Sequence, residues 1–511
     1  MFNTYNIKEL IVFLPEIILF YSSILILLSS ILLKKCQKIE FLICISCILL
    51  SMLALLYLNS NNYEIEALIS NSSISELGYV VNIEKNNLKI LTLFLSLLIV
   101  LSFLGNYQIQ ETEEKSSIKK FKSEYLALIT FSCIGIFSSI SAGNFISLFV
   151  SLELCSFCAY ILCAIERKNT LASEASVKYF IMGAVMSCIS LFGISLLYGI
   201  NKTGMNIIDY KLLDLSSNDF GTKFGNLDVS YILPIVFILS NLLFKLGLFP
   251  FHSVLIDVYQ GCPSYVVNFF GSINKIPAIA AIIFIKSIVK IPLAENLCVV
   301  LSIISMLFGA LGGINQKSVK RILGYSSMLN FGFVMYYLIS IDLSDKISLN
   351  YLYLYILIYS TCVIGVFSIL SILPKKSEDV NILDLSGFYK THPYLAVSFV
   401  VFIFSIMGMP PLAGFFVKYN VIKFAIVNNI YFAASSLLSS VIAGYYYLSI
   451  IKTVIFDEAI SSVNNTKIES LIATNGKKIN IWPIYVSCIL CLIINVFLVG
   501  FYGFSNSTFL I

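Results

Sequence analysis

The fold is decided by two apolar stretches of the chain, LLFKLGLFPFH (residues 242–252) and GMPPLAGFFVKYN (residues 408–420). Each places a lysine and proline inside a run that is otherwise apolar enough to cross a bilayer. Proline lacks an N–H, so each proline deprives the carbonyl four residues before it of its helical partner. The carbonyls affected are those of Leu246, Ile406 and Met407. Freed backbone survives at membrane depth only where it lines a wet cavity or packs in protein, so we predict two discontinuous transmembrane helices.

The composition around these stretches is that of a membrane protein. Of the 511 residues, 58% are hydrophobic and 12% are charged, and the mean hydropathy is +0.91. Soluble domains carry about 25% charged residues. We find no linker or low-complexity run that would separate domains. The net charge of +5 sits in short loops, so it does not indicate nucleic-acid binding.

Hydropathy predicts an all-α polytopic protein with fourteen transmembrane spans, each needing about 20 mostly apolar residues. We place them at 9–33, 41–58, 88–104, 124–141, 144–165, 174–198, 229–258, 264–286, 294–314, 319–341, 349–373, 394–427, 431–455 and 480–504. The seventh and the twelfth spans are unusually long, and each contains a proline. Each is counted as one broken span.

Basic residues in the predicted loops favour one face of the membrane by about two to one, which marks that face as the cytoplasm or matrix. The favoured face includes Lys122 and Lys320, and the other includes Lys89 and Lys286. Both termini are then expected on the opposite side, the intermembrane space. The consistency of this count supports single broken spans.

Four ionisable residues occupy central positions in spans, where each costs roughly 2.5–3.5 kcal/mol on the insertion scale. They are Glu153, Lys245, Lys275 and Lys418. A structural ion pair or a lysine snorkelling to the headgroups would explain one such residue. Neither explains four central positions, two of them beside predicted breaks, so we interpret the set as a proton relay.

Lysine suits such a relay because desolvation destabilises its charged form and brings proton release towards neutrality. A carboxylate opposes this effect, so movement of Glu153 relative to Lys245 would switch the lysine between holding and releasing a proton. His252 could extend the relay past Pro250, with a hydrogen-bonded structural histidine as the equal alternative. Lys178 lies nearer a helix end, where an interface role is favoured.

The cysteines suggest no metal site. Three pairs have CxxC spacing within apolar runs, without convergent further ligands: Cys44/Cys47, Cys155/Cys158 and Cys488/Cys491. A zinc or iron–sulfur site needs ligands that converge with a supporting shell. We expect buried free thiols and no metal.

Several motifs together resemble the subunit 2 family of respiratory complex I, the proton-pumping NADH:ubiquinone oxidoreductase. They are ELCSFCAYILCAIER (153–167), EASVKYFIMGAVMSCISLFGISLLYG (174–199), FKLGLFPFHSVLIDVYQGCPSYVV (244–267), RILGYSSMLNFGFV (321–334) and GMPPLAGFFVKY (408–419). The resemblance covers about residues 120–455, and it is the combination that is specific.

The resemblance implies an antiporter-like membrane subunit with two inverted five-helix repeats. The expected division is an N-terminal three-helix segment (1–123), a first repeat (124–290), a second repeat (291–455) and a loop with a C-terminal helix (456–511). The family's channel residues correspond to Glu153, Lys245, Lys275 and Lys418. NADH, FMN, iron–sulfur clusters and ubiquinone are expected on other subunits of the complex, with no cofactor in this chain. The expected partners are other membrane-arm subunits, including neighbouring antiporter-like subunits, and membrane lipids.

The composition also bears on location. The chain contains 40 phenylalanines and 30 tyrosines but only 1 tryptophan and 26 glycines, which indicates an AT-rich coding genome. No presequence is evident. We therefore expect the mitochondrial inner membrane of a non-animal eukaryote, with the bacterial plasma membrane as the less favoured location. Two functional alternatives stay open: a Mrp-type cation/proton antiporter subunit, and a purely structural subunit.

Overall fold

The computed structural model describes residues 11–32, 39–60, 79–110, 118–200, 227–288, 292–343, 345–373, 379–458 and 482–505. These residues form helices joined by short connections, with two isolated β-bridges and no strand among them. The predicted side of the termini concerns residues 1–10 and 506–511, outside these ranges. The same holds for 459–481 of the predicted C-terminal unit.

The helices follow the predicted order of spans. The N-terminal segment forms α1 (Leu14–Leu32), α2 (Ile39–Ser60) and α3 (Ile83–Gln110). The first half of the core forms α4 (Ile118–Ile140), α5 (Phe145–Cys163), α6 (Thr170–Ile200), α7 (Leu227–Leu246), α8 (His252–Gly261), α9 (Ser264–Gly271) and α10 (Ile276–Ile288). The second half forms α11 (Pro292–Ile314), α12 (Val319–Ser340), α13 (Lys346–Leu370), α14 (Phe388–Thr391), α15 (Pro393–Met407), α16 (Ala413–Asn428) and α17 (Ile430–Ile455), followed by α18 (Trp482–Ser505).

Eleven helical segments among the described residues are long and apolar enough to cross a membrane, and three shorter apolar helices accompany them. The shorter ones are Ile232–Leu246, Pro393–Met407 and Trp482–Val496. When each shorter segment is counted with its continuation, the predicted fourteen spans are recovered. The predicted all-α polytopic fold is confirmed.

Both predicted discontinuities occur in the structure, and they are built alike. The first break comprises residues 247–251 and the second break residues 408–412. Each begins with a glycine in the left-handed region, Gly247 (φ 73°) and Gly408 (φ 90°). The N–H after each glycine bonds to a carbonyl five residues earlier, at 3.0 Å in both cases. This is the Schellman ending, in which glycine adopts the positive φ without a Cβ penalty.

A third discontinuity was missed by the sequence analysis, which treated the eighth span as one helix. The structure ends α9 at Gly271, inserts a 3₁₀ turn (Ile273–Lys275), and resumes with α10. The cause is Pro277, which cannot donate to the carbonyl of Ile273. That carbonyl instead accepts the N–H of Ile276 and tightens the turn.

The centre of the bundle is formed by α12 and by the span from Ser264 to Ile288, each with 94% of an 18-residue apolar stretch buried. The corresponding share is only 33% for α1, α2 and α6. Lipid tails are as apolar as leucine, so central helices are held by close packing and by polar contacts rather than by exclusion of water. Two helices that contribute to the charged region, α5 with Glu153 and α12 with Ser327, begin at side-chain caps. Asn144 accepts the N–H of Ser147 at the start of α5, and Ser318 accepts the N–H of Arg321 at the start of α12.

Candidate functional site

Lys245 occupies the last turn of α7, directly before the first break, and its ammonium reaches across to α5. It donates to Ser156 Oγ and to the carbonyl of Leu152 at 3.2 Å. Glu153 Oε1 lies 3.8 Å from Lys245 Nζ, and the two side chains are 17% and 10% exposed. That distance is an ion pair without a direct hydrogen bond. The carboxylate can therefore close on the lysine or leave it by a small displacement.

The same turn of α5 contacts the 3₁₀ turn that carries Lys275. Cys155 Sγ donates to Asn274 Oδ1 at 3.6 Å, one residue before the lysine. Lys275 is 1% exposed, and its ammonium donates to Ser327 Oγ at 2.5 Å and lies 3.9 Å from the centroid of the Phe331 ring. Within the described part of the chain, no carboxylate forms an ion pair with it. A buried ammonium is thus held by a hydroxyl and an aromatic face.

Lys418 follows the second break on α16 and turns back towards it. Its Nζ donates to the carbonyl of Ile406 at 2.6 Å and to that of Met407 at 3.3 Å. These are the carbonyls that proline was expected to free. Lys418 is 8% exposed, and the Phe333 ring centroid lies 5.7 Å away. The lysine therefore completes the hydrogen bonding of its own broken span.

His252 begins α8, immediately after the first break. Its ring is 5.9 Å from that of Phe249 and 6.1 Å from that of Phe308. The buried Nδ1 has no hydrogen-bond partner among the described residues. The structure thus shows no contact that joins His252 to Lys245, and the expectation of a relay at this histidine stays a prediction.

A polar cluster between α12 and its neighbours was not identified from the sequence. Tyr447 donates to Ser326 Oγ at 2.5 Å, and Tyr355 donates to Asn330 Oδ1 at 3.2 Å, all four residues being buried. The signal that could have found it is the polar run YSSMLN within a buried span. Together with Ser327, these neutral groups line the region of α12 beside Lys275.

Two buried ion pairs in the N-terminal segment were also missed. Lys89 Nζ lies 2.7 Å from both Glu16 Oε1 and the Tyr79 hydroxyl. Lys122 Nζ lies 3.3 Å from Glu40 Oε2. The charge count had assigned both lysines to loops, whereas they are buried. Each pair joins α1 or α2 to α3 or α4, and unpaired charges at these positions would be strongly destabilising.

Lys178 lies at the periphery, as its position near a helix end suggested. Its side chain is 46% exposed and pairs with Glu174 at 2.7 Å and Asp257 at 3.0 Å. Asp257 also lies 3.6 Å from Arg321, which donates to Gln260 at 2.8 Å. This network links α6, α8 and α12 at one end of the bundle. It connects the first and second halves of the core outside the row of central lysines.

The cysteines of the three CxxC pairs lie in helices without disulfide bonds, and all but Cys47 are buried. Across the described ranges, no three side chains of His, Cys, Asp or Glu are placed to hold a metal ion. Cys155 contributes as a thiol donor to Asn274 rather than as a ligand.

Comparisons with known proteins agree with this architecture. The profile of a protein family described as "NADH:quinone oxidoreductase/Mrp antiporter, TM" matches residues 142–443. NADH-quinone oxidoreductase subunit N of Rickettsia bellii is 38% identical over 353 residues, which cover 68% of this chain and 74% of that protein. The Pelagibacter ubique subunit N is 36% identical over 394 residues, which cover 76% and 79%.

Two solved structures share the fold. A chain of respiratory complex I from Thermus thermophilus, solved with bound aureothin, superposes with a TM-score of 0.67 at 24% identity, covering 94% of this chain and 98% of that one. A chain of the Mrp complex from Dietzia sp. superposes with a TM-score of 0.69 at 18% identity, covering 94% of each.

Proposed function

The chain belongs to the antiporter-like membrane family of NADH:quinone oxidoreductases and Mrp antiporters, and from this premise we propose that it is a proton-translocating subunit of the complex I membrane arm. The resemblance noted in the sequence is confirmed at the level of the family. The chain is a multi-pass membrane protein with the fold of this family.

The observation that carries the proposal is the arrangement around one turn of α5. Glu153 faces Lys245 at 3.8 Å, and Cys155 contacts the residue next to Lys275 at 3.6 Å. Movement of this turn would act on both lysines.

The proposed relay starts at Lys245, whose charge Glu153 stabilises when close. Withdrawal of the carboxylate releases the Lys245 proton towards Lys275, which takes it up only after its own proton has passed on. The Lys275 ammonium donates to Ser327 Oγ, so the hydroxyl marks the side of Lys275 from which that proton leaves. Lys418 is the last group in the row and lies nearest the second break. Water admitted at the breaks would carry protons where direct contacts end. His252 is retained as a candidate beside the first break.

NADH oxidation and quinone reduction are assigned to other subunits, with FMN, iron–sulfur clusters and ubiquinone bound there. The chain would lie beside other membrane-arm subunits, among them antiporter-like neighbours, and in contact with lipid. We keep the division into a three-helix segment (1–123), two repeats (124–290 and 291–455) and a C-terminal unit (456–511). The equal construction of the two breaks supports the repeats.

We propose the mitochondrial inner membrane as the location, on the composition of the chain, with both termini in the intermembrane space. The similar subunit N chains are bacterial, so the plasma membrane of a bacterium is the alternative. Cell fractionation separates the two. Cleavage of a C-terminal epitope by protease from the matrix side, but not from outside mitoplasts, would contradict the orientation.

A Mrp-type antiporter subunit is the second candidate, because the Dietzia Mrp chain superposes over 94% of this chain. Native purification distinguishes them, since only a complex I subunit co-migrates with an NADH-oxidising assembly.

The relay is tested with Lys245→Ala and Lys418→Ala in assembled complexes in sealed membranes, measuring quinone reduction and proton uptake together. Each variant is expected to lose at least about tenfold in pumping, because the site of proton exchange is gone. Lys390→Ala is the control, since this lysine is 68% exposed and pairs with Glu458 outside the core. Full pumping in both intact variants would overturn the proposal.

A further inference from the structure

The C-terminal helix α18 inserts one fully buried amide, Asn495, into the core. Its Oδ1 accepts from Ser405 Oγ at 2.9 Å and from Cys362 Sγ at 3.1 Å. Its Nδ2 donates to Thr361 Oγ1 at 3.3 Å and to the carbonyl of Cys491 at 2.8 Å. The side chain thus uses two donor and two acceptor positions and joins α18 to α13 and α15.

An amide at membrane depth has no water to satisfy it, so an unpaired one costs several kcal/mol. An apolar residue in place of Asn495 would carry no such cost, and the other described positions of α18 are mostly apolar. The complete set of partners fixes the relative position of three helices more strictly than apolar packing does, because each contact is directional. The contact that affects Lys418 is the hydrogen bond between Asn495 and Ser405 on α15.

Ser405 lies one residue before Ile406, whose carbonyl accepts from Lys418 at 2.6 Å. The backbone carbonyl of Ser405 packs against Gly414, at the start of α16. A Cβ added at Gly414 would lie 1.8 Å from that oxygen. The last turn of α15 is therefore held between Asn495 and the start of α16. Its two accepting carbonyls face Lys418 as a result.

Three helices packed against α16 place groups near Lys418, namely α12, α13 and α15. On α13, Cys362 is a titratable side chain near Lys418. That thiol donates to Asn495 and is therefore protonated and neutral. From α12 the aromatic ring of Phe333 faces the ammonium. The carbonyls of α15 are thus the main groups that favour the charged form.

We propose that Asn495 is a positioning residue for Lys418, which holds the carbonyl end of α15 against the lysine and so sets the pH range over which it exchanges its proton. This inference rests on the proposed function, in which Lys418 carries protons. It assigns a functional contribution to the C-terminal helix, which lies outside the residues matched by the family profile.

The test is the pH profile of proton-coupled quinone reduction in sealed membranes with complexes that carry Asn495→Leu. Without the amide, the last turn of α15 relaxes, Lys418 loses its acceptors, and the lysine becomes neutral at lower pH. The alkaline limb should move by about one pH unit to the acid side, the size expected from one hydrogen bond to a charged group. Ser487→Ala is the matched control, because this buried hydroxyl of α18 donates to Ile484 of its own helix. It should leave the profile unchanged.

Ser405→Ala covers the case in which Asn495→Leu does not assemble, since it removes the contact with α15 and keeps the amide. It should move the limb in the same direction by a smaller amount. A wild-type profile for Ser405→Ala and for any assembled Asn495→Leu complex, in a system where Lys418→Ala is impaired, would overturn the inference alone. If Lys418→Ala pumps fully, the proton-carrying role that the proposed function gives to Lys418 fails instead. In a Lys418→Ala background, Asn495→Leu should shift nothing further.

Discussion

The two breaks share their backbone construction and differ in what their lysines contact. Both are five residues long, open with a positive-φ glycine and contain a cis X–Pro peptide. Lys245 precedes its break and reaches another helix, where it meets Glu153. Lys418 follows its break and reaches back to the carbonyls of Ile406 and Met407.

Their supports differ as well. In the first break, the N–H of Phe249 donates to Ser305 on α11 at 3.1 Å, a residue of the second half. In the second break, Ser405 bonds to Asn495 on α18. Thus a side-chain carboxylate faces the first lysine, whereas two backbone carbonyls contact the second. Breaks with the same backbone construction therefore hold one lysine opposite a side-chain carboxylate and the other against backbone carbonyls.

The largest expected effect is that of Gly414→Ala, which tests how closely α16 must approach the second break. The new Cβ would lie 1.8 Å from the backbone oxygen of Ser405, which cannot move aside as a side chain can. We expect loss of the assembled complex on native gels. Gly444→Ala is the control, because its Cβ would meet nothing within 4 Å. Normal assembly of Gly414→Ala would show that α15 and α16 pack less tightly than described.

Arginine substitutions distinguish a proton carrier from a carbonyl cap at each break. Lys245→Arg and Lys418→Arg should both lose at least about tenfold in pumping, because guanidinium stays protonated to above about pH 12. The measurement is proton uptake per quinone reduced in sealed membranes. Retained pumping in Lys418→Arg alone would mean that this lysine only satisfies the carbonyls of Ile406 and Met407.

Glu153→Gln should have an intermediate effect, confined to the first break. The lysine remains while its switch is lost, so turnover should fall roughly two- to tenfold without being abolished. Steady-state NADH:quinone turnover with intact complexes is the measurement. In a Lys245→Ala background, the same change should add nothing. An independent further loss there would place the role of Glu153 elsewhere.

Ser305→Ala should have the smallest effect. It removes the side-chain acceptor for the Phe249 N–H, a hydrogen bond with a net worth of about 0.5–1.5 kcal/mol. Pumping should stay within about twofold, with a measurable decrease in the thermal stability of the complex. Ser302→Ala is a suitable control, since that hydroxyl donates to the carbonyl of Val299 in its own helix. A loss as large as that of Lys245→Ala would show that α11 controls the first break.

Much of the fold followed from local chemistry. Hydropathy located fourteen spans, and proline located the two breaks, because both signals act within a few residues of their position. The eighth span was misjudged, because Pro277 was given no weight beside the central Lys275. Lys89 and Lys122 were assigned to loops, because a charge near a span end is normally solvated. Their burial depends on Glu16 and Glu40 from other helices.

The sequence by itself determined the class of the protein and the number of spans, and it singled out the ionisable residues within them that we propose to exchange protons. These properties depend on residue type and on separation along one helix. The sequence also paired Glu153 with Lys245, and the tertiary structure added their separation of 3.8 Å. Only the tertiary structure decided the partners of the other two lysines, Ser327 for Lys275 and the carbonyls of α15 for Lys418. It also decided that Asn495 supports the second break. The physical reason is that hydrogen bonds and ion pairs act over about 3–4 Å, and helix packing alone brings distant residues that close.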